Sequence, residues 1–286
     1  MSSMNRLDTA TRARVVSALV EGNSLRATSR LTGVARMTVE KLLRDIGEAC
    51  QKFHDEKVRN LTTTKRIQCD EIWSFCYAKS RTVTNSPAIL EKHPDAGDVW
   101  TWTAIDADSK LIVSWFVGDR GADSAHTFMH DVASRIPNRI QITTDGLPVY
   151  LNAVESAFGD VDYATLNKIY GGVGAGKTSG GRYSPAKFMG ATRATVKGRP
   201  DAGHVSTSFV ERSNLTMRMH MRRFTRLTNG FSKKVEMHAA SVALHFVYYN
   251  FCKVHMSLRV TPAMEAGISD HVWDVSELLH ATLEGR

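Results

Sequence analysis

Ile67-Gln-Cys-Asp-Glu-Ile-Trp-Ser-Phe-Cys-Tyr77 is an apolar run with two adjacent carboxylates near its middle, and its reading decides the fold. Aromatic and β-branched residues favour a strand, whereas Asp is disfavoured inside one, so Asp70 calls for a reason. Metal coordination supplies it. Neighbouring side chains on a strand point to opposite faces, so Asp70 and Glu71 do not easily serve one site, and Asp70 is the candidate.

Working outward, two further strands follow at 99–105 and 111–117, with Asp106-Ala-Asp-Ser109 as the turn between them. A helix at 124–134, a strand at 140–144, a helix at 148–158 and a strand at 161–169 complete the pattern. Three meandering strands and then alternating helices and strands define an α/β sandwich around a mixed sheet flanked by helices. That order is ribonuclease H-like. Residues 171–206 are rich in Gly, Ser, Lys and Arg and read as an inserted loop. Long helices are expected at 207–227 and 232–254, the second packing on the sheet through Val235, Ala239, Val242, Phe246 and Phe251.

Upstream of the strand run, apolar residues recur at helical spacing over 9–20, 24–31 and 36–48, broken at Gly22-Asn23 and Thr32-Gly33-Val34. This is helix-turn-helix patterning. Its third helix faces Arg36, Thr38, Lys41 and Arg44 outward, and such a helix fits a DNA major groove. The expected organisation is therefore a small all-α DNA-binding domain at 1–50, a linker at 51–64, a catalytic domain at 65–256 carrying the basic insertion at 171–206, and a tail at 257–286.

The chain has 286 residues, 42% hydrophobic, and a net charge of +8. No stretch approaches the ~18 uninterrupted apolar residues of a membrane span, so a soluble, cytoplasmic and nucleoid-associated protein with no membrane partner is expected. Cys50, Cys69, Cys76 and Cys252 show no CxxC pair and read as reduced structural thiols. The charge is uneven: residues 1–60 carry +4, residues 168–234 carry +12, and the remainder −8. Clustered Lys and Arg make a phosphate-binding surface. Asp201 and Glu211 are the only acids within the +12 segment.

Asp145 follows the strand at 140–144 and precedes Gly146, at a carboxyl-end strand tip where open α/β sheets commonly place ligands; by itself Asp-Gly after a strand reads equally as a simple turn. Glu211 lies near the start of the helix expected at 207–227, with Asn214 and Arg218 at i+3 and i+7 on the same face. Two hard divalent ions need shared carboxylate oxygens, and such a pair activates a hydroxyl nucleophile and stabilises the leaving oxygen in phosphodiester displacement. Only folding can bring Asp70, Asp145 and Glu211 together.

Four segments together resemble the DDE transposases of bacterial insertion sequences, the insertion-sequence-one type above all. They are Asp70-Glu-Ile-Trp-Ser-Phe75, Thr144-Asp-Gly-Leu-Pro-Val-Tyr150, Val210-Glu-Arg-Ser-Asn-Leu-Thr-Met-Arg-Met-His220 and Phe231-Ser-Lys-Lys-Val-Glu-Met-His238. Ala27 to Val39 is similar to the helix-turn-helix of that family, and Tyr249 to His255 with Thr261 to Met264 to its closing segment. The resemblance implies a catalytic, metal-binding triad of Asp70, Asp145 and Glu211 holding two Mg²⁺ or Mn²⁺ ions. It also implies cleavage and joining of double-stranded DNA at element ends and target, by a homodimer or higher oligomer. Arg218 stands where a basic residue contacts DNA; Asn214 fits the pattern, and Arg222 is counted with them. Two features depart from the family: a cysteine-rich zinc element carried by some relatives is lacking, and the glycine-rich stretch before Glu211 is long.

Gly171-Gly-Val-Gly-Ala-Gly-Lys-Thr178 matches the phosphate-cradling P-loop pattern. A P-loop needs a helix starting at Lys-Thr, and Ser179-Gly-Gly-Arg-Tyr-Ser-Pro185 breaks one, so no nucleotide cofactor is expected. No histidine is assigned as a metal ligand. Trp73, Trp100, Trp102 and Trp115 read as core residues rather than base-stacking ones. The rival readings are a ribonuclease H-like nuclease that cuts without joining, and a non-catalytic DNA-binding regulator derived from a transposase.

Overall fold

A computed structural model describes residues 7–171, 187–225 and 228–284. Three helices open the chain: α1 (Thr9–Val20), α2 (Leu25–Thr32) and α3 (Arg36–Lys57). Asp8 and Ser24 cap α1 and α2, each accepting a backbone N–H of the first turn. Gly33 ends α2 with φ +73°, a left-handed conformation that a glycine adopts without strain, and turns the chain into α3. Helix α3 continues to Lys57, through much of the segment expected as a linker, because Ile46, Cys50, Phe53 and His54 keep one face of it buried.

The sheet is built from β1 (Arg66–Cys76), β2 (Gly97–Asp106), β3 (Ile112–Gly118), β4 (Gln141–Thr144), β5 (Asp162–Gly171) and β6 (Lys187–Lys197), in the order β3-β2-β1-β4-β5-β6. β2 and β3 form an antiparallel meander with β1, whereas β4 runs parallel to both β1 and β5. Two short helices, α4 (Ser80–Asn85) and α5 (Ala88–Lys92), join β1 to β2; α6 (Ala122–Arg135) and α7 (Val149–Ala157) follow β3 and β4. Then come α8 (Ser208–His220), α9 (Val235–Phe251), α10 (Pro262–Glu265) and α11 (Val275–Leu279). A six-stranded mixed sheet flanked by helices is consistent with the expected ribonuclease H-like fold.

Helices cover both faces of the sheet, so its central strands are buried almost throughout. On one face Trp102 of β2 packs against Phe128 of α6 and Tyr150 of α7. On the other, Trp115 of β3 meets His54 of α3 and Phe246 of α9. Helices α3 and α9 approach so closely that a Cβ on Gly47 would lie 2.4 Å from the Cβ of Ala240. One contiguous apolar core runs from Val15 and Val39 through Ile67 and Trp102 to Leu278, so the first three helices share their interior with the sheet. Among the described residues no helix is long and apolar enough to cross a membrane.

Two expectations need correction. The segment read as a loop over 171–206 contains β6, an edge strand paired antiparallel with β5. Its Lys and Arg residues and its exposed side chains hide the apolar alternation of a half-buried strand. The helix expected to run to Leu227 stops at His220, and the 3₁₀ turn Arg222–Phe224 buries Phe224 instead. Of the P-loop-like run, Gly172 to Thr178 lies outside the described residues.

Candidate metal and nucleic-acid site

Asp70 sits in the middle of β1, and Asp145 is the first residue beyond the adjacent parallel strand β4. The structure brings these two carboxylates together, and it adds Glu71: one oxygen from each of the three lies within 4.8 Å of the others. Glu71 thus stands close to the aspartate that the sequence reading chose in its place. The two acids do take partners on opposite faces of the sheet, yet both carboxylates remain near the tip of β4.

Their partners distinguish them. Glu71 is buried and satisfied: Arg120 donates Nε and Nη2 to its Oε1 at 2.9 and 2.6 Å, and the Tyr150 hydroxyl donates to Oε2 at 3.2 Å. Burial and the Asp145 charge push its carboxyl up, while Arg120 and Tyr150 pull it back. Asp70 accepts the Glu71 backbone N–H at 2.9 Å and Asn214 Nδ2 at 2.8 Å, with no cation among these donors. Burial, followed by the charges of Glu71 and Asp145, raises its carboxyl to about 7; Glu211 adds a smaller push. Asp145 accepts the Leu147 N–H at 3.0 Å, which holds its side chain in the turn after β4.

Helix α8 crosses this end of β1, anchored by Gln68 Oε1 accepting the Phe209 and Val210 N–H groups at 2.8 and 3.2 Å. It delivers Asn214 to Asp70, and the buried Asn214 Oδ1 has no hydrogen-bond partner among the described residues. Glu211, one turn earlier, is held by an ion pair with Lys168 of β5 and by the Thr207 hydroxyl at 2.6 Å. It is not part of the three-carboxylate group. The all-oxygen donors, the uncompensated charge at Asp70 and the orphaned Asn214 oxygen together fit a hard divalent cation.

The expected DNA contacts fall in two places. Arg36, Thr38 and Lys41 are exposed on the first turns of α3, whereas Arg44 is half-buried and lies 3.4 Å from Glu236 of α9. A cleft of about 590 Å³ between α1–α3 and the α8–α9 connection is lined by Arg26, Arg36, Arg222, Arg223, Lys233 and Lys234, with Glu40 among them. It therefore joins Arg36 of the third helix to Arg222. Arg218, half-buried on α8, lies between this cleft and the acids in sequence.

Other acids and histidines have structural partners. Asp106 accepts the Thr64 hydroxyl at 2.6 Å, Asp119 accepts the Ser124 hydroxyl at 2.6 Å, and the buried His238 bonds Ser232 and Ser74. The four cysteines are free; burial pushes Cys76 up to about 11 and Cys252 up to about 12, as expected for inert thiols.

A mixed sheet with acids converging where the tip of β4 meets the middle of the parallel strand β1, in a chain that also carries a basic cleft, defines a candidate phosphoryl-transfer site. The IS1 transposase family matches the chain over residues 191–252, which include α8 and α9 and so Glu211, Asn214, Arg218 and Arg222. This match supports the resemblance to an IS1-type DDE transposase drawn from the sequence. No curated protein matches the chain.

Proposed function

We propose that this chain is a transposase that binds insertion-sequence ends and carries out metal-dependent DNA cleavage and strand transfer. The observation that carries it is the pairing of Asp70, in the middle of β1, with Asp145 just beyond the tip of β4, beside a helix that bears Glu211 and Asn214 within the family-matched segment.

In this reading Asp70, Asp145 and Glu211 hold two divalent ions, Mg²⁺ or Mn²⁺. Bound there, such ions activate a hydroxyl nucleophile and neutralise the departing oxygen. Asn214 orients Asp70 through its Nδ2, and Arg120 and Tyr150 hold Glu71 so that it stands as a positioning neighbour. The exposed start of α3 reads double-stranded DNA, and the cleft lined by Arg36, Arg222 and Lys234 carries its backbone toward the acids. Water attacks the phosphodiester at an element end and releases a 3′-hydroxyl; that hydroxyl then attacks a target phosphodiester and displaces a new 3′-oxygen. Because an element has two ends, a homodimer or larger assembly is the active form. The expected division of labour is DNA reading by residues 1–50 and catalysis by 65–256, in a nucleoid-associated protein.

The test is Asp145→Asn assayed on element-end DNA in Mg²⁺. Loss of strand transfer with end binding retained is expected. Full activity in the variant would overturn the proposal; cleavage without joining by the unsubstituted protein would make it a nuclease, and binding without cleavage a regulator.

A further inference from the structure

Two tryptophans read from sequence as core residues are not buried. Trp102 and Trp115 are buried, at 0% and 8% exposure, but Trp73 and Trp100 are only half-buried and face each other across β1 and β2. They begin an aromatic row. Trp73 lies 5.6 Å from Phe75, and Phe75 stacks at 4.8 Å on Phe231, which the chain segment before α9 brings to the end of β1 through the Cys76–Ser232 bridge. All four rings keep part of their surface open.

Cations accompany the row. Exposed Lys79 lies 5.5 Å from the Trp73 ring and 5.7 Å from Phe75, exposed Lys233 lies 3.4 Å from Phe231, and the Arg120 guanidinium lies 4.5 Å from Trp100. A hydrophobic plug would need none of these charges. Arg120 is also the residue that clasps Glu71, so one guanidinium links the aromatic row to the carboxylate group.

We propose that Trp73, Trp100, Phe75 and Phe231 form a stacking platform for unpaired bases of the DNA strand adjoining the cut. This deepens the proposed function and rests on it. Paired bases are already stacked on each other inside a duplex, so exposed rings beside a site favour single-stranded bases. Lysines on long stems over those rings can turn to the phosphates as the bases take the ring faces. Every base has a π-face, so the platform is indifferent to sequence and differs from the reading function proposed for α3. Lys233 also lines the basic cleft, which makes the cleft and platform continuous.

The experiment compares affinity for a short blunt duplex and for the same duplex with an oligothymidine 3′ extension, in EDTA so that no cleavage occurs. The extension is expected to tighten binding on the order of tenfold, the scale of a stacked base. In Trp73→Leu/Phe231→Leu, which keeps apolar bulk and removes the rings, the ratio of the two affinities falls toward one. Oligothymidine also quenches tryptophan fluorescence of the unsubstituted protein, a readout independent of any variant. Equal affinity for the two probes, an unchanged ratio in the variant, or absence of quenching overturns the platform. Blunt binding without a preference overturns the platform alone, whereas failure to bind either probe overturns the DNA-binding reading with it.

Discussion

Two clusters of charge lie against the core, and they are built in opposite ways. At the junction of α3 with α6, Arg135 is 2% exposed and donates to Asp131 at 2.7 and 3.0 Å, to Asp55 and to the Val58 carbonyl. Ser114 adds a bond to Asp131 at 2.5 Å, so this cluster is closed. Where the tip of β4 meets the middle of β1, Asp70, Glu71 and Asp145 lie together with Arg120 paired to Glu71 and to neither aspartate, which leaves Asp70 high at about 7. The first cluster holds elements together. The second keeps a charge imbalance that the fold does not need, and such imbalance makes it a candidate functional site.

The difference can be broken from either side. The largest effect is on activity: Asp70→Asn or Asp145→Asn is expected to cut strand transfer on the order of 10³-fold, because metal stabilisation of developing charge is worth several kcal/mol. The same changes relieve repulsion among the acids, so the thermal midpoint should not fall. Arg135→Met does the reverse. It removes the shared partner of Asp131 and Asp55, whose side chains are 32% and 40% exposed, and the donor to the Val58 carbonyl, and should lower stability by about 1–3 kcal/mol, read as a shift of the urea midpoint.

Gly47→Ala sharpens the same contrast by separating α3 from α9 without touching a charge. The gain of about 1 kcal/mol in helix propensity is outweighed by the clash with Ala240, for a net loss of about 1–2 kcal/mol. A further effect is graded with pH. Burial holds His54, His238 and His245 down at about 3, so each favours the folded state while neutral. Their contribution is complete above the unfolded value near 6.5 and is lost as pH falls from there toward 3, by up to about 1.4 kcal/mol per histidine per pH unit. Urea unfolding at a series of pH values below neutrality measures it.

The succession of strands and helices in the mixed sheet was legible because β1 to β5 follow the apolar patterns of covered strands, and Asp70 stands out against such a pattern. β6 was not, since an edge strand with exposed side chains carries no such pattern. Nor was it legible that Glu71 would stand near the two aspartates, because its position depends on Arg120, 49 residues away, and on Tyr150 of α7. Likewise the ion pair of Glu211 with Lys168 joins α8 to β5, and its partner choice follows from the fold alone. Residues 49–64, polar and without a sustained period, could be read as an extension of α3 or as a linker, and the choice follows from the buried face that packing by the rest of the chain creates.

The most direct test of a two-ion site is thermal unfolding in Mn²⁺ and in EDTA, for the unsubstituted protein and for Asp70→Asn/Asp145→Asn. An ion at a hundredfold excess over its dissociation constant stabilises the folded state by about 2.7 kcal/mol. The midpoint of the unsubstituted protein is predicted to rise with Mn²⁺ and that of the double variant to stay fixed. Equal shifts in both would contradict the assignment of Asp70 and Asp145 as the metal-binding pair.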